Sequence, residues 1–407
     1  MARLAVLGGK RLSGEIAVGG SKNAALPILF ACLATKGVTR LDCVPDILDV
    51  SVTLRILECF GARIRVEGNS LIIDTRELIY NTIPASLTGA LRASTYLIGA
   101  CLARFHKAEL SSYGGCSFGA RPIDMHISAA EALGAVRDGC SLVAKSLSSG
   151  IITFDKISVG ATVNALIMCS STEGESKIYG YAREPHVFSL IDFLVKAGAD
   201  IKVYCDHISV RGANLSGSYA KIIPDMIEAG TYIALSLATD SDITVIGAEP
   251  SELSSFFDFL EKHGVKIEQG KDHVRAYGAL SGYSELTTGP YPEFPTDLQP
   301  QMAPLIALGC GGRITERVWH ERFSYLTELS RFGVRYSKYD GGAEIYPSRL
   351  TSAVCTATDL RGGAALLIAA LSAKGESVIE SADLIKRGYQ DISNKLSRLG
   401  ARIKEIN

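Results

Sequence analysis

The chain has 407 residues, of which 47% are hydrophobic and 21% charged, and its formal net charge is −1. That length exceeds one ordinary core and suits two domains of about 200 residues each, while the apolar content excludes a disordered chain. With no global field to attract nucleic acid or an anionic membrane, anion binding has to come from a local cluster of Arg and Lys.

No apolar run reaches the roughly 18–20 residues of a membrane span; the longest lies near Ala364–Ala373. The start, MARLAVLGGKRLSG, has too short an apolar stretch for a signal peptide. Ten cysteines are scattered without CxxC or Cys/His zinc spacing. These features predict a cytoplasmic protein with reduced thiols and no metal.

Along the chain one phrase recurs six times: a helix, a glycine, a small or β-branched residue, then a strand. It reads ILECFGARI (Gly61), AAEALGAV (Gly134), FLVKAGADI (Gly198), FLEKHGVKI (Gly264), ELSRFGVRY (Gly333) and KLSRLGARI (Gly400), with glycines 73, 64, 66, 69 and 67 residues apart. Such a period marks a repeat architecture, and each glycine is expected to end its helix in the left-handed conformation. Each unit also holds an earlier helix rich in small apolar residues. These begin near Ser21, Arg92, Gly160, Ile227, Thr296 and Thr358 and are apolar on nearly every side, which predicts burial. The later helices are amphipathic and should lie outside; Pro45, Pro122, Pro185 and Pro250 are expected in the first turns of four of them.

The prediction is therefore an α/β fold with six repeats of about 68 residues, three per domain, helices at each centre and sheet around them. The sixth unit stops at ARIKEIN, and residues 2–19 could supply its missing strands. That makes the second domain discontinuous, 1–19 plus 230–407, around a first domain of 20–229. The alternative is a run of βα units in a conventional parallel sheet.

Chemistry-bearing residues gather at the predicted helix starts: Lys22 and Asn23, Arg92, Ser158 and Val159, Asp297, and Asp359 with Arg361 at inner helices. Arg121 and Asp124, Arg183 and Glu184, Glu316 and Arg322, and Lys386 and Arg387 stand at outer ones. Helix N-termini with Arg and Lys suit a substrate bearing several phosphates or carboxylates, gathered in an inter-domain cleft. Taken singly, each is as well explained as a solvated cap or surface ion pair. Cys116 lies in SYGGCSFGARPID, where glycines and Arg121 favour a reactive thiolate; the other nine cysteines read as small buried hydrophobes.

The motifs SKNAALPI, LRAS, GGCSFGARPIDMH, SVGAT, AREP, IPDMIEAGT, FPTDLQPQ, TERVWHERF, DLRGGAAL and KRGY run in order over nearly the whole chain. In these the sequence closely resembles the UDP-N-acetylglucosamine 1-carboxyvinyltransferase family. The resemblance implies a two-domain inside-out α/β barrel with the active site in the cleft. It implies transfer of an enolpyruvyl group from phosphoenolpyruvate to the 3-hydroxyl of UDP-N-acetylglucosamine, releasing phosphate, in peptidoglycan synthesis, with no metal or organic cofactor. Carried over, Cys116, Asp297 and Lys22 are catalytic. Lys22, Asn23, Arg121 and Arg387 would hold phosphoenolpyruvate, with Arg361 on its carboxylate or phosphate. Arg92, Arg121, Pro122, Ile123, Asp124, Met125, Lys156, Ile157, Ser158, Val159, Asp297 and Val318 would contact the UDP-sugar, with Arg322 also in the substrate site. Cys116 would be alkylated by fosfomycin. Trp319-His320-Glu321 departs from the family's usual Phe-Glu-Asn, and Tyr179 and Tyr181 flank AREP where smaller or amide residues are common. The alternatives are 5-enolpyruvylshikimate-3-phosphate synthase, which lacks the GGC cysteine, a paralogue with another acceptor, and a non-catalytic UDP-sugar-binding protein.

Overall fold

A computed structural model describes residues 2–110, 114 and 122–406. Their contacts divide into two compact bodies: the first holds the described residues between 20 and 223, the second 2–19 and 224–406. Each body has its own hydrophobic core. The division falls just after Ile223, earlier than the residue 230 expected from sequence. Asp225 explains the difference, because its carboxylate accepts from the N–H groups of Ile227 and Glu228 at 2.8 and 3.1 Å. It thereby caps the helix Met226–Ala238, which belongs wholly to the second body.

The inner helices of the first body are Lys22–Ala31, Leu97–Phe105 and Val159–Cys169. Those of the second are Met226–Ala238, Gln299–Leu308 and Leu360–Ser372. Burial follows their composition: every residue from Leu360 to Leu371 is buried, as is every residue from Gln299 to Ala307. Small residues permit the close approach. A Cβ added at Gly363 would stand 2.7 Å from Cγ1 of Ile385.

The outer helices are Leu48–Cys59, Asp124–Ala132 and Pro185–Ala197, then Ser254–Lys262, Tyr325–Arg331 and Ile392–Arg398. After each comes the expected glycine, with φ of +90, +90, +123, +83, +91 and +97° in chain order. In all six, the following residue's N–H returns to a carbonyl in the helix's last turn, from Ala62 to Leu57 at 3.2 Å through Ala401 to Leu396 at 3.1 Å. This bond satisfies an otherwise orphaned carbonyl and turns the chain into its strand. The prolines are less uniform than expected. Pro185 opens its helix and Pro250 a 3₁₀ turn, Pro250–Leu253, whereas Pro45 and Pro122 lie before the helices that start at Leu48 and Asp124.

Among the described residues the strands form small sheets, three per body, and not one parallel sheet; five are mixed and the sheet of Lys107–Glu109, Ser141–Val143 and Val136–Asp138 is antiparallel. Val38–Asp42, for example, lies between Tyr219–Lys221, parallel to it, and Ser70–Asp74, antiparallel. The N-terminal strand β1 (Arg3–Gly8) runs antiparallel to both Gly375–Glu380 and Arg402–Ile406, so it fills the place the sixth repeat leaves open. Strand β2 (Ser13–Ala17) lies parallel to Asp242–Ile246. Each body is an inside-out α/β unit of three repeats, with helices central and sheets peripheral. No helix among the described residues is long and apolar enough to cross a membrane.

Candidate active site

In the second body, the starts of the inner helices gather at one end. Asp297 lies in the 3₁₀ turn Thr296–Leu298 that leads into Gln299–Leu308, and Arg361 in the first turn of Leu360–Ser372. The Asp359 side chain caps that turn, accepting from the N–H groups of Arg361 and Gly362 at 3.0 Å each. Arg322 Nη1 meets Asp297 Oδ1 at 2.8 Å and Arg361 Nη2 meets Oδ2 at 3.2 Å. The two guanidinium side chains are only 5% and 2% exposed, against 28% for Asp297. The carboxylate thus faces outward from two buried cations. Burial by itself would lower the Arg361 pKa, but the Tyr389 hydroxyl and the carboxylates of Asp297 and Asp225 outweigh it and hold the group cationic. The Arg361 guanidinium also lies 5.3 Å from the Tyr389 ring centroid. Tyr389 Oη pairs with Thr231 Oγ1 at 2.9 Å, and Gln301 Nε2 donates to both hydroxyls at 3.1 and 3.2 Å. All three inner helices are thereby tied near their starts.

In the first body, Lys22 begins its inner helix with Nζ 2.8 Å from Asp49 Oδ2, and Asn23 follows in the same turn. Asp49, nearly buried in Leu48–Cys59, was not anticipated from the sequence. Arg92 starts a 3₁₀ turn, Arg92–Tyr96, and its Nη2 donates to the Pro122 carbonyl at 3.3 Å. Ile123 precedes and Asp124 and Met125 open the outer helix, where a carboxylate suits the N-terminal dipole. Ser158 caps Val159–Cys169, its hydroxyl accepting from Ala161 N–H at 3.3 Å. Lys156 and Ile157 are exposed on the approach to that cap.

The Pro122–Met125 and Ser158–Val159 segments meet through His126. A Cβ at Gly160 would stand 3.0 Å from the ring's Cε1, and His126 Nδ1 is 2.6 Å from Asn164 Nδ2. Asn164 is oriented by its other bonds: Oδ1 accepts from Gly99 N–H at 2.7 Å and Nδ2 donates to the Thr95 carbonyl at 3.0 Å. Nδ1 of His126 is therefore an acceptor and its proton sits on Nε2. Burial first, then the nearby Arg92 charge, push the His126 pKa down to about 4, so the ring is neutral.

A match to the EPSP synthase (3-phosphoshikimate 1-carboxyvinyltransferase) family model spans residues 6–396. The chain is 39% identical to UDP-N-acetylglucosamine 1-carboxyvinyltransferase 2 of Streptococcus mutans, covering all of both proteins. It is equally similar, again over both full lengths, to the UDP-N-acetylglucosamine 1-carboxyvinyltransferase of Xanthobacter autotrophicus. The chain belongs to the UDP-N-acetylglucosamine 1-carboxyvinyltransferase family. A solved structure of the enolpyruvyl transferase NikO from Streptomyces tendae superposes with a TM-score of 0.90 at 26% identity, covering 100% of this chain and 99% of that one.

The other residues singled out in the sequence of this carboxyvinyltransferase family member are placed less uniformly. Cys116 and Arg121 lie outside the described residues. Arg387 ends the 3₁₀ turn Ala382–Arg387, half-buried, while its neighbour Lys386 turns to Glu405 at 2.8 Å. Arg183 and Glu184 stand at the start of Pro185–Ala197 as expected, Glu184 as the N-cap residue, and Arg183 donates to the Cys205 carbonyl and packs over Tyr181, 5.2 Å from the ring centroid. Glu316 follows the strand Gly312–Thr315 and is not at a helix start; Val318 comes two residues later, half-buried. Nor are all nine remaining cysteines buried. Burial pushes the thiols of Cys32, Cys169 and Cys355 up to about 12, whereas Cys140, Cys205 and Cys310 are exposed. Among the described residues no group of three or more His, Cys, Asp or Glu is arranged to hold a metal. His126 and Asn164 were visible in the sequence only as a histidine ending GARPIDMH and one amide in the apolar run GATVNALIMC.

Proposed function

We propose that this chain moves the enolpyruvyl group of phosphoenolpyruvate onto the 3-hydroxyl of UDP-N-acetylglucosamine and releases phosphate, the first commitment of that sugar to peptidoglycan. The observation that carries the reading is Asp297, a reachable carboxylate held by two buried guanidinium groups at 2.8 and 3.2 Å. A base that accepts a hydroxyl proton needs an oriented carboxylate, and fixed cations beside it suit a reaction whose intermediate keeps both phosphate and carboxylate charge. The full-length similarity to proteins of that name supports the choice of acceptor.

The steps balance without a cofactor. The sugar 3-oxygen bonds to C2 of phosphoenolpyruvate while C3 gains a proton from Cys116 and the hydroxyl proton goes to Asp297. The tetrahedral adduct then gives a proton from the new methyl group to the Cys116 thiolate as the C2–O bond to phosphate breaks and Asp297 passes its proton to the departing phosphate, which restores the double bond and both side chains. Lys22, with Asn23, Arg121, Arg361 and Arg387, would hold phosphoenolpyruvate. Lys22 is suited to a phosphate because Asp49 holds its ammonium at the N-terminus of the helix Lys22–Ala31. Arg92, Pro122–Met125, Lys156–Val159, Asp297 and Val318 would contact the UDP-sugar, with Arg322 in the substrate site behind Asp297. The first body carries Lys22 and the second Asp297. The substrates are small polar anions, and nine free thiols among the described residues suit the reducing cytoplasm.

The test is phosphate release from phosphoenolpyruvate with UDP-N-acetylglucosamine, with shikimate 3-phosphate as the parallel acceptor. Release with the UDP-sugar alone, abolished by fosfomycin with a mass increase on the Cys116 peptide, is expected. UDP-sugar binding without release from either acceptor would refute the reading.

A further inference from the structure

Beyond the groups assigned above, the second body holds a buried carboxylate with no role in the proposed chemistry. Glu316 is 1% exposed, so an ionised side chain there requires full hydrogen bonding. Four donors supply it. Oε1 accepts from Thr288 Oγ1 at 2.7 Å and from the backbone N–H groups of Val318 and Trp319 at 2.8 and 3.0 Å. Oε2 accepts from Thr296 Oγ1 at 2.9 Å.

The last bond reaches the candidate active site. A threonine hydroxyl has one proton, and that of Thr296 is committed to Glu316. Its lone pairs remain, and Arg322 Nη1 donates to them at 3.0 Å while also donating to Asp297 Oδ1 at 2.8 Å. Without an acceptor carboxylate behind it, the hydroxyl could rotate and compete with Arg322 for Asp297. Two segments separated in sequence thus depend on one side chain: the turn bearing Asp297 and the loop bearing Val318.

We propose that Glu316 is a positioning residue for the transfer, setting Arg322 on Asp297 through the Thr296 hydroxyl and pinning the Val318–Trp319 backbone through its other oxygen. The proposal rests on the transferase reading above. It separates two effects. The hydroxyl relay acts on the reacting carboxylate and belongs in kcat. The loop holds a segment expected against the sugar and belongs in KM for UDP-N-acetylglucosamine. Trp319 is the chain's only tryptophan, so its fluorescence reports the loop directly.

Three variants test this in the full-length protein: Thr296→Val, Thr296→Ser and Glu316→Gln, each checked for an intact thermal transition. Thr296→Val keeps the side-chain shape and removes the relay. Its kcat should fall about ten- to hundredfold, the worth of one hydrogen bond to a charged group, with KM for the UDP-sugar within about twofold and Trp319 emission unchanged. Thr296→Ser restores the hydroxyl and should recover most of that loss, which a purely structural threonine would not require. Glu316→Gln should lower kcat, raise KM for the UDP-sugar and shift Trp319 emission. Should Glu316→Gln fail to fold, the threonine pair still decides the relay. A wild type with no phosphate release overturns the reading on which the proposal rests. An active wild type with an unaffected Thr296→Val, or a Thr296→Ser as impaired as the valine variant, overturns the proposal alone.

Discussion

Asp297→Ala is expected to destabilise the protein as well as inactivate it, and the two effects have one electrostatic origin. The substitution leaves Arg322 and Arg361, with side chains 5% and 2% exposed, without the carboxylate that neutralises both. Removing one partner of a buried ion pair typically costs about 3–5 kcal/mol. Here the site is less extreme, because Asp297 is 28% exposed and water can enter the vacated space. Other carboxylates also remain in range, Asp359 and Glu316 of Arg322 and Asp225 of Arg361. A loss of about 2–3 kcal/mol follows, which for a body of this size lowers Tm by about 5–10 °C. Urea denaturation with an unchanged m-value measures it. The double variant Asp297→Ala/Arg361→Met supplies the control, since it removes one of the two orphaned charges and should be more stable than the sum of the single effects by about 1 kcal/mol or more. If Asp297→Ala melts within about 2 °C of wild type, or the double variant shows no coupling, the guanidinium groups do not depend on Asp297 and the argument for a clamped carboxylate fails.

His126 predicts a pH dependence with a definite sign. Its folded pKa is depressed to about 4 by burial, so the unfolded chain takes up a proton near pH 6.5 that the folded one refuses. Stability should therefore fall as pH is lowered from about 6.5 to 4, by roughly 2 kcal/mol at pH 5. His126→Gln should lose that slope; equal urea midpoint shifts between pH 7.5 and pH 5 in both proteins would refute it. Gly400→Ala isolates the backbone term, because φ is +97° and an added Cβ would meet nothing within 4 Å. A loss of about 1 kcal/mol, or roughly 2–4 °C in Tm, is expected, and a neutral effect would show that the glycine is not there for its conformation.

The six-repeat barrel was legible because its signals are local. A helix followed at once by a strand needs a positive φ at the joint, which makes glycine the recurrent choice at Gly61 through Gly400. A helix buried on every side must be apolar on nearly every side, as Gly362–Leu371 is beyond the single charge of Arg361. Even the contribution of the N-terminal strand could be inferred, since a repeat ending at ARIKEIN leaves a sheet position to be filled. Proline was a weaker guide: it is tolerated before a helix as well as at its first residue, so Pro45 and Pro122 did not mark the starts.

The candidate site was legible in residue type and motif, but not in partnership. Composition and spacing picked out Asp297, Arg322 and Arg361, yet in the sequence each could equally have been a solvated cap. Only packing turned them into one buried cluster, while Lys386, identical in kind, turned to Glu405 on the surface. The Lys22–Asp49, His126–Asn164 and Glu316–Thr296 contacts join residues far apart in the chain. Periodicity records how a segment meets the core and says nothing of which distant side chain it meets. The sequence alone determined the repeat, the buried helices and the turns between them, because these follow from each segment's own backbone and apolar pattern. Which carboxylate neutralises which cation was decided only by tertiary structure, because desolvation and pairing depend on what folding brings within about 3 Å.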